Sequence, residues 1–214
     1  MKPTPSQALF PGGLYLILDP AVAGNRSLHE IVTDALITGV RVFQLRVKTP
    51  HTGEFYSEAF RLTPLIHAAG GRLFVNDRCD VALAAGADGV HLGQQDLPFG
   101  EARALLRPDM LIGISTHSVE QALEAEAAGA DYIGFGPIFP TRSKAHPDPV
   151  VGIEGLREVR SRVRVPIVAI GGITAANISS VARAGSEAPA VLSAVLEAAD
   201  PARALRELMA AIQP

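Results

Sequence analysis

Short runs of apolar residues alternate along this chain with segments in which apolar residues recur every three or four positions. The runs do not alternate apolar with polar residues, which is typical of strands buried on both faces of a parallel sheet. Helix signals lie between them, for example Ser27 with Glu30 as a capping box and Gly39 at the end of that segment. Pro64 should either kink its helix or mark its start, and Thr174 should act as a helix cap. The pattern predicts strands at 14–18, 41–45, 73–75, 88–92, 110–114, 131–135, 167–170 and 190–192, and helices at 27–38, 55–69, 80–87, 100–106, 118–128, 153–163, 174–184 and 201–212.

Eight such units predict an α/β fold, a single (β/α)8 TIM barrel over residues 14–214, after an irregular Pro- and Gly-rich lead-in at 1–13. The phrase Ala-Gly-Ala-Asp precedes two strands, at 85–88 and 128–131, and Ala-Gly-Ser-Glu at 184–187 is a weaker copy. This repeat is expected of equivalent helix-to-strand turns. A doubly wound open sheet is the alternative, but no Gly-rich dinucleotide fingerprint follows the first strand.

The composition narrows the class of protein. A chain of 214 residues, 48% of them hydrophobic, can bury one sizeable core, and a net charge of −3 gives no reason to expect nucleic acid or an anionic membrane as a partner. No secretory pattern opens the chain, and no apolar run approaches the roughly 20 residues of a membrane helix. The single cysteine, Cys79, excludes an internal disulfide, and we expect it to be a buried or helix-start residue and not a nucleophile. These features predict a cytoplasmic protein and leave its oligomeric state open, a homo-oligomer included.

Two acidic residues follow neighbouring predicted strands. Asp77 comes directly after the third strand, and Asp96 follows the fourth. Because parallel strands end at the same edge of a sheet, both carboxylates should lie at the edge where such folds bind ligands. Paired carboxylates suit Mg²⁺, whereas each aspartate alone could equally cap the helix that follows it.

Other polar residues follow the remaining strands, and their chemistry suits phosphate oxygens. They are Gln44, Arg46, Lys48, Asn76, Gln94, Ser115, His117, Thr141, Arg142, Ser143, Lys144 and Ser193, together with the pair Gly171-Gly172. The glycine pair predicts either a phosphate-binding loop or a plain strand-to-helix turn. Arg46 and Lys48 share a face if the strand continues that far, and otherwise form a solvated pair. His91 lies inside a strand, so it should be a core or lining residue, and His117 is close enough to the mouth to touch a ligand.

The motifs resemble those of the thiamine phosphate synthase family over nearly the whole chain. The segments that carry the resemblance are Gln-Leu-Arg-Val-Lys at 44–48, Val-Asn-Asp at 75–77, His-Leu-Gly-Gln-Gln-Asp at 91–96, Gly-Ile-Ser at 113–115, Gly-Pro-Ile-Phe-Pro-Thr-Arg-Ser-Lys at 136–144 and Ile-Gly-Gly-Ile at 170–173. The resemblance implies a TIM-barrel transferase that joins hydroxymethylpyrimidine diphosphate and hydroxyethylthiazole phosphate. Thiamine phosphate and pyrophosphate would be the products, and pyrophosphate would leave first, in a dissociative reaction.

The resemblance also implies residue roles. Asp77 and Asp96 correspond to the Mg²⁺ ligands, and Gln44 to the residue that holds the pyrimidine. The diphosphate clamp, which includes the catalytic candidates Arg46, Lys48, Ser115 and Lys144, also takes in Asn76. The thiazole phosphate site corresponds to Thr141, Ser143, Gly172, Leu192 and Ser193. The long loop at 136–151 should close over the site and exclude water.

Three departures from the family pattern and two rivals accompany this prediction. Val47 replaces a residue that is often acidic, and Ser143 replaces threonine. The third departure, Ser-Glu-Ala-Pro at 186–189 where the family has Ala-Asp-Gly-Val, puts strand eight in doubt because Pro189 cannot donate a sheet hydrogen bond.

A thiazole tautomerase typically carries histidine at the position of Pro137 and lacks the acid of Asp96, so it fits less well. The other rival is a non-catalytic barrel that binds thiamine intermediates.

Overall fold

The eight predicted strands are all present and lie side by side in one parallel sheet. The structure is a computed structural model that describes residues 9–48, 51–141 and 148–212. The strands are β1 (Tyr15–Leu18), β2 (Val42–Leu45), β3 (Arg72–Asn76), β4 (Gly89–Leu92), β5 (Leu111–Thr116), β6 (Tyr132–Phe135), β7 (Ile167–Ala169) and β8 (Ala190–Val191).

Helices follow the strands on the outside of the sheet. Within the described residues they are α1 (Pro20–Ala23), α2 (Leu28–Thr38), α3 (Thr52–Ala68), α4 (Cys79–Ala85), α5 (Phe99–Leu105), α6 (Val119–Ala128), α7 (Gly152–Arg162), α8 (Ile178–Arg183), α9 (Ser193–Leu196) and α10 (Pro201–Ile212). Among these, none has the length and apolar character that crossing a bilayer requires.

The sheet closes into a barrel, which excludes the doubly wound alternative. Its strand order runs from β7 through β1 to β8, and a parallel bridge between Ile170 and Ala190 joins the two ends. Strand eight has only two residues, yet it pairs with β1 in register, Tyr15 opposite Ala190. The carbonyl of Pro189 accepts a hydrogen bond from the Tyr15 N–H at 3.1 Å. Proline therefore lies at the start of the strand, where its missing N–H breaks no pairing with β1.

The repeated acidic residue before a strand has one structural role in all three copies. Each carboxylate accepts a backbone N–H near the start of the preceding strand in the chain, a group that the sheet edge would otherwise leave unpaired. The pairs are Asp88 with Leu73 (2.8 Å), Asp131 with Ile112 (2.8 Å) and Glu187 with Ile167 (2.7 Å). Glu187 thus replaces aspartate in its structural role, and it also pairs with Arg160 at 2.9 Å.

The apolar residues form two cores because successive strand residues face opposite sides of the sheet. Leu14, Leu16 and Leu18 belong to the large layer between sheet and helices, whereas Tyr15 and Ile17 belong to a smaller cluster inside the barrel. The smaller cluster also holds Phe10, Val42, Phe74, Tyr132, Val168, Ala188 and Ala190. Large side chains such as Phe10, Tyr15 and Tyr132 therefore fill much of the barrel interior.

Local details of the helices differ from the predictions. Pro64 lies inside α3, which excludes the helix start and leaves the predicted kink as the alternative. Asn177, not Thr174, precedes α8, and its side chain accepts from the Thr174 N–H at 2.8 Å. The short helices α1 and α9 were not predicted, because four residues are too few to show a helical repeat.

Candidate active site

A cavity of about 140 Å³ opens at the C-terminal ends of the strands, and every strand contributes to its wall. The predicted site residues that line it are Gln44, Arg46, Asn76, Ser115, Thr141, Gly172, Leu192 and Ser193. Three further predicted residues, Lys48, Asp77 and Asp96, do not line this cavity and follow the ends of β2, β3 and β4. Arg142, Ser143 and Lys144 lie outside the described residues.

Hydrogen bonds join the polar side chains at the base of the cavity. The Gln44 amide nitrogen donates to the Tyr15 hydroxyl at 2.9 Å, and that hydroxyl lies 3.0 Å from the Tyr132 hydroxyl. His91 continues the series, with Nδ1 at 3.1 Å from the Tyr132 hydroxyl and Nε2 at 2.9 Å from Ser115 Oγ. His91 is both a buried residue and a lining residue, so the sequence interpretation was correct in each respect.

Arg46 meets an acid that the sequence analysis missed. Its guanidinium forms an ion pair with Asp19, which is 2% exposed and also accepts from the Ala21 N–H at 3.0 Å. Asp19 directly follows β1, so the rule that identified Asp77 could have found it. The pair fixes the guanidinium at the cavity wall, because a buried carboxylate requires a nearby positive partner.

Asp77 and Asp96 do meet, as predicted from their strand ends. The pKa of Asp96 is raised by burial and by the neighbouring Asp77 carboxyl group, so the two acids lie close together. Asp96 also accepts from the Gly93 N–H at 2.6 Å, and Lys48 Nζ lies 2.5 Å from Asp77 Oδ2. Asp77 has a φ of 64°, in the left-handed region that few side chains adopt.

This carboxylate pair fits a divalent cation. Two like charges in contact are unfavourable unless a proton or a cation lies between them, and carboxylate oxygens are the ligands that Mg²⁺ prefers. No group of three or more metal-binding histidine, cysteine, aspartate or glutamate side chains occurs in the described part of the chain. Mg²⁺ typically takes one or two carboxylates and completes its shell with water and phosphate oxygens.

The glycine pair after β7 has a packing role. Gly171 and Gly172 have φ of 103° and 63°, and a Cβ on either would lie within 2.7 Å of the loop after β6. Both residues also line the cavity. The close packing supports a strand-to-helix turn that requires glycine. Phosphate binding by this loop stays a prediction, which agrees with its position at the cavity.

His117 lies at the cavity wall between two oxygen acceptors. Its Nδ1 donates to the Gly136 carbonyl at 2.6 Å, and its Nε2 lies 3.3 Å from Asp148 Oδ2. Asp148 also lines the cavity, and sequence reasoning missed it because nothing in a long loop indicates which residue turns inward. Cys79 is buried at the start of α4, and burial raises the pKa of its thiol, which agrees with an unreactive residue.

Fold and cavity together define a (β/α)8-barrel protein with a polar site at the C-terminal mouth, where barrel enzymes carry their active sites. The family model described as thiamine monophosphate synthase matches residues 14–195. The chain belongs to this family.

Curated relatives and a solved structure agree with this assignment. The chain is 45% identical over 199 residues to a thiamine-phosphate synthase of Chloroflexus aurantiacus, covering 93% of this chain and 92% of that protein. It is 46% identical over 203 residues to one of Shouchella clausii, covering 95% and 97%. Among solved structures, thiamine phosphate pyrophosphorylase from Pyrococcus furiosus superposes with a TM-score of 0.87 at 40% identity, covering 98% of both chains. A 3-hexulose-6-phosphate synthase, at 23% identity and a TM-score of 0.69, shares the fold.

Proposed function

We propose that this chain is a thiamine-phosphate synthase that joins hydroxymethylpyrimidine diphosphate to hydroxyethylthiazole phosphate. The observation that carries the proposal is one cavity that holds Gln44, Asn76 and Ser115, with Arg46 at its wall and the Asp77–Asp96 pair at the neighbouring strand ends. In the reaction, the bond from the pyrimidine methylene carbon to the diphosphate oxygen breaks, and its electron pair leaves with pyrophosphate. The thiazole nitrogen then supplies the pair for the new carbon–nitrogen bond.

The polar residues at the mouth suit this departure. Arg46 offers a fixed cation, because Asp19 holds its guanidinium in place, and Asn76 and Ser115 add neutral donors. Donors that are already oriented stabilise charge as it builds on a leaving group. Lys48 is also part of the proposed clamp, although its ammonium group forms an ion pair with Asp77 in the structure. Lys144, which lies outside the described residues, completes the proposed clamp.

Asp77 and Asp96 would hold the Mg²⁺, which supplies Lewis-acid stabilisation of the leaving diphosphate when bound. The thiazole phosphate would bind at Thr141, Gly172, Leu192 and Ser193, with Ser143 as a further ligand beyond the described residues. Of these, Thr141, Gly172, Leu192 and Ser193 line the cavity on the side of the loops after β6, β7 and β8, where barrels of this class often bind phosphate.

An assay with both substrates and Mg²⁺ tests the proposal. Thiamine phosphate and pyrophosphate should appear in equal amounts, and omission of the thiazole should stop thiamine phosphate formation. Isomerisation of a thiazole without the pyrimidine would support the tautomerase instead. Binding of both compounds without turnover would support the non-catalytic barrel.

A matched pair of variants tests the clamp. Arg46→Met should lower kcat about 10²-fold, the usual cost of losing one oriented donor at the developing charge. Arg61→Met removes the same charge from an exposed helix position, where Arg61 pairs with Glu58 at 3.5 Å. Equal activity in the two variants would exclude Arg46 from the clamp.

A further inference from the structure

Five side chains form an unbroken hydrogen-bonded chain across the interior of the barrel. It runs from Gln44 through Tyr15, Tyr132 and His91 to Ser115, with every link between 2.9 and 3.1 Å. Its two ends, the Gln44 amide and the Ser115 hydroxyl, line the cavity, whereas Tyr132 is fully buried and does not reach it. These hydrogen bonds thus link two proposed substrate contacts through Tyr15 and His91, which also line the cavity, and through Tyr132, which does not.

Two glycines make room for this chain. A Cβ at Gly113 would lie 2.1 Å from the Tyr132 ring, and a Cβ at Gly134 would lie 2.9 Å from the His91 ring. Real side chains do not approach this closely, so each ring occupies space that another strand leaves open. The two rings are therefore fitted to cross the barrel at these positions.

The number of protons available fixes the direction of donation along this series of hydrogen bonds. Burial raises the pKa of both tyrosines well above the ordinary value, so each hydroxyl keeps its single proton. A hydroxyl between two partners then donates to one and accepts from the other. A neutral imidazole likewise donates from one ring nitrogen and accepts at the other. The direction of one link therefore fixes the direction of every other link.

Only two arrangements make every link and also use each tyrosine and imidazole proton within these links. In the first, Gln44 donates to Tyr15, the protons point along the chain, His91 carries its proton on Nε2, and the Ser115 hydroxyl is left to donate into the cavity. In the second, the Gln44 amide is reversed, His91 carries its proton on Nδ1, and Ser115 donates to the ring. The amide orientation in the structure corresponds to the first arrangement.

We propose that these residues act as a positioning relay, in which the orientation of the Gln44 amide sets the tautomer of His91 and so decides whether Ser115 donates into the cavity. This inference rests on the proposed function for its substrate. The exocyclic amine of an aminopyrimidine is a donor and requires the Gln44 oxygen. That requirement selects the first arrangement and aims the Ser115 proton at the diphosphate, whereas a ring with an oxo group would select the second. Tyr132 is thus a positioning residue, not a catalytic one.

The tautomer of His91 tests the relay without any substrate. Long-range proton–nitrogen NMR of ¹⁵N-histidine-labelled protein distinguishes the tautomers, and a His91→Gln variant assigns the signal. Wild type should carry the proton on Nε2. Gln44→Glu replaces the donor with an acceptor, so it should move the proton to Nδ1, three hydrogen bonds away. Adding Tyr132→Phe should abolish this response. An unchanged tautomer in Gln44→Glu, or protons on both nitrogens, would overturn the relay.

Kinetics test the same idea if Gln44→Glu does not fold. Tyr132→Phe should lower kcat/KM for the pyrimidine diphosphate about tenfold. In a Ser115→Ala background it should cost less than about threefold, because the group that it orients is already gone. Tyr56→Phe removes the same atom from an exposed helix residue and should leave kcat/KM unchanged. Equal penalties for Tyr132→Phe in both backgrounds would show a merely structural role.

The two levels of inference fail separately. A wild-type protein that forms no thiamine phosphate from both substrates refutes the proposed function, and the tautomer measurement still decides the relay. An active wild type whose His91 tautomer ignores residue 44 refutes the relay alone.

Discussion

Replacing Asp96 with asparagine should stabilise the metal-free protein while it abolishes the response to Mg²⁺. Burial and contact with Asp77 raise the pKa of Asp96, so an ionised Asp96 makes folding less favourable. Asparagine keeps an oxygen that can accept from the Gly93 N–H and removes the charge that faces Asp77. A gain in stability with a loss of activity is the signature of a residue retained for function.

The magnitude follows from the partial exposure of the site. Solvent screens a pair of this kind, so the metal-free variant should gain about 0.5–1 kcal/mol near neutral pH. An aspartate with a raised folded pKa is protonated in both states in strong acid, where the difference vanishes. It grows as the pH rises through the unfolded value of about 3.9 and then through the folded value. Wild type should gain about 2.7 kcal/mol from Mg²⁺ at one hundred times its Kd, and the variant far less.

Urea unfolding in EDTA measures the stability gained without metal, and unfolding in Mg²⁺ measures the stabilisation by the ion. Pyrophosphate release measures the loss of activity. Asp80→Asn is the matched control, because a hydrogen bond from Arg78 lowers the pKa of Asp80. Removing the Asp80 charge should therefore slightly destabilise the folded protein. Thiazole phosphate should still bind to Asp96→Asn. A variant that is less stable than wild type in EDTA, or one that Mg²⁺ stabilises as much as wild type, would refute the metal site.

Three further predictions concern the frame around the site. Glu187→Ala should lower the free energy of unfolding in urea by about 2–3 kcal/mol, because the substitution removes a charged acceptor from the buried Ile167 N–H. A loss below about 1 kcal/mol would show that β8 does not need this carboxylate. Gly172→Ala should lower the free energy of unfolding more than Gly24→Ala. Both glycines have positive φ, but only the new Cβ at position 172 would clash with neighbouring atoms. Calorimetry should also show weaker binding of thiazole phosphate to Gly172→Ala. Glu126→Gln should cost at most about 1 kcal/mol at neutral pH, since two backbone N–H groups lower the pKa of Glu126. That difference should shrink as acid titrations pass below a pH of about 4.3, and a constant difference would show that charge plays no part.

The sequence predicted the strands well because each is an apolar run buried on both faces. It also placed Asp77 and Asp96 together, since parallel strands must end at one edge. That argument needs only the position of a residue relative to its strand. It would have found Asp19 too, had the same rule been applied after the first strand.

The relay under the cavity could not be predicted in this way. Tyr15 and Tyr132 touch through their hydroxyls although 117 positions separate them in the chain. Their contact depends on the inward face of both strands and on the barrel's closure through a strand of two residues. Pro189 argued against that strand from sequence, and only the pairing of its carbonyl with β1 shows why it is tolerated.

Carboxylates at the two ends of the barrel have opposite environments. Asp131, at the strand starts, accepts a backbone N–H at 2.8 Å that would otherwise be unpaired, so its carboxylate contributes to folding as a hydrogen-bond acceptor. Asp96, at the strand ends, faces a second carboxylate, and its partner Asp77 has a backbone conformation that few residues adopt. Neither feature helps the chain to fold. The proximity of two carboxylates and the left-handed backbone of Asp77 are features that the proposed metal-binding role would explain.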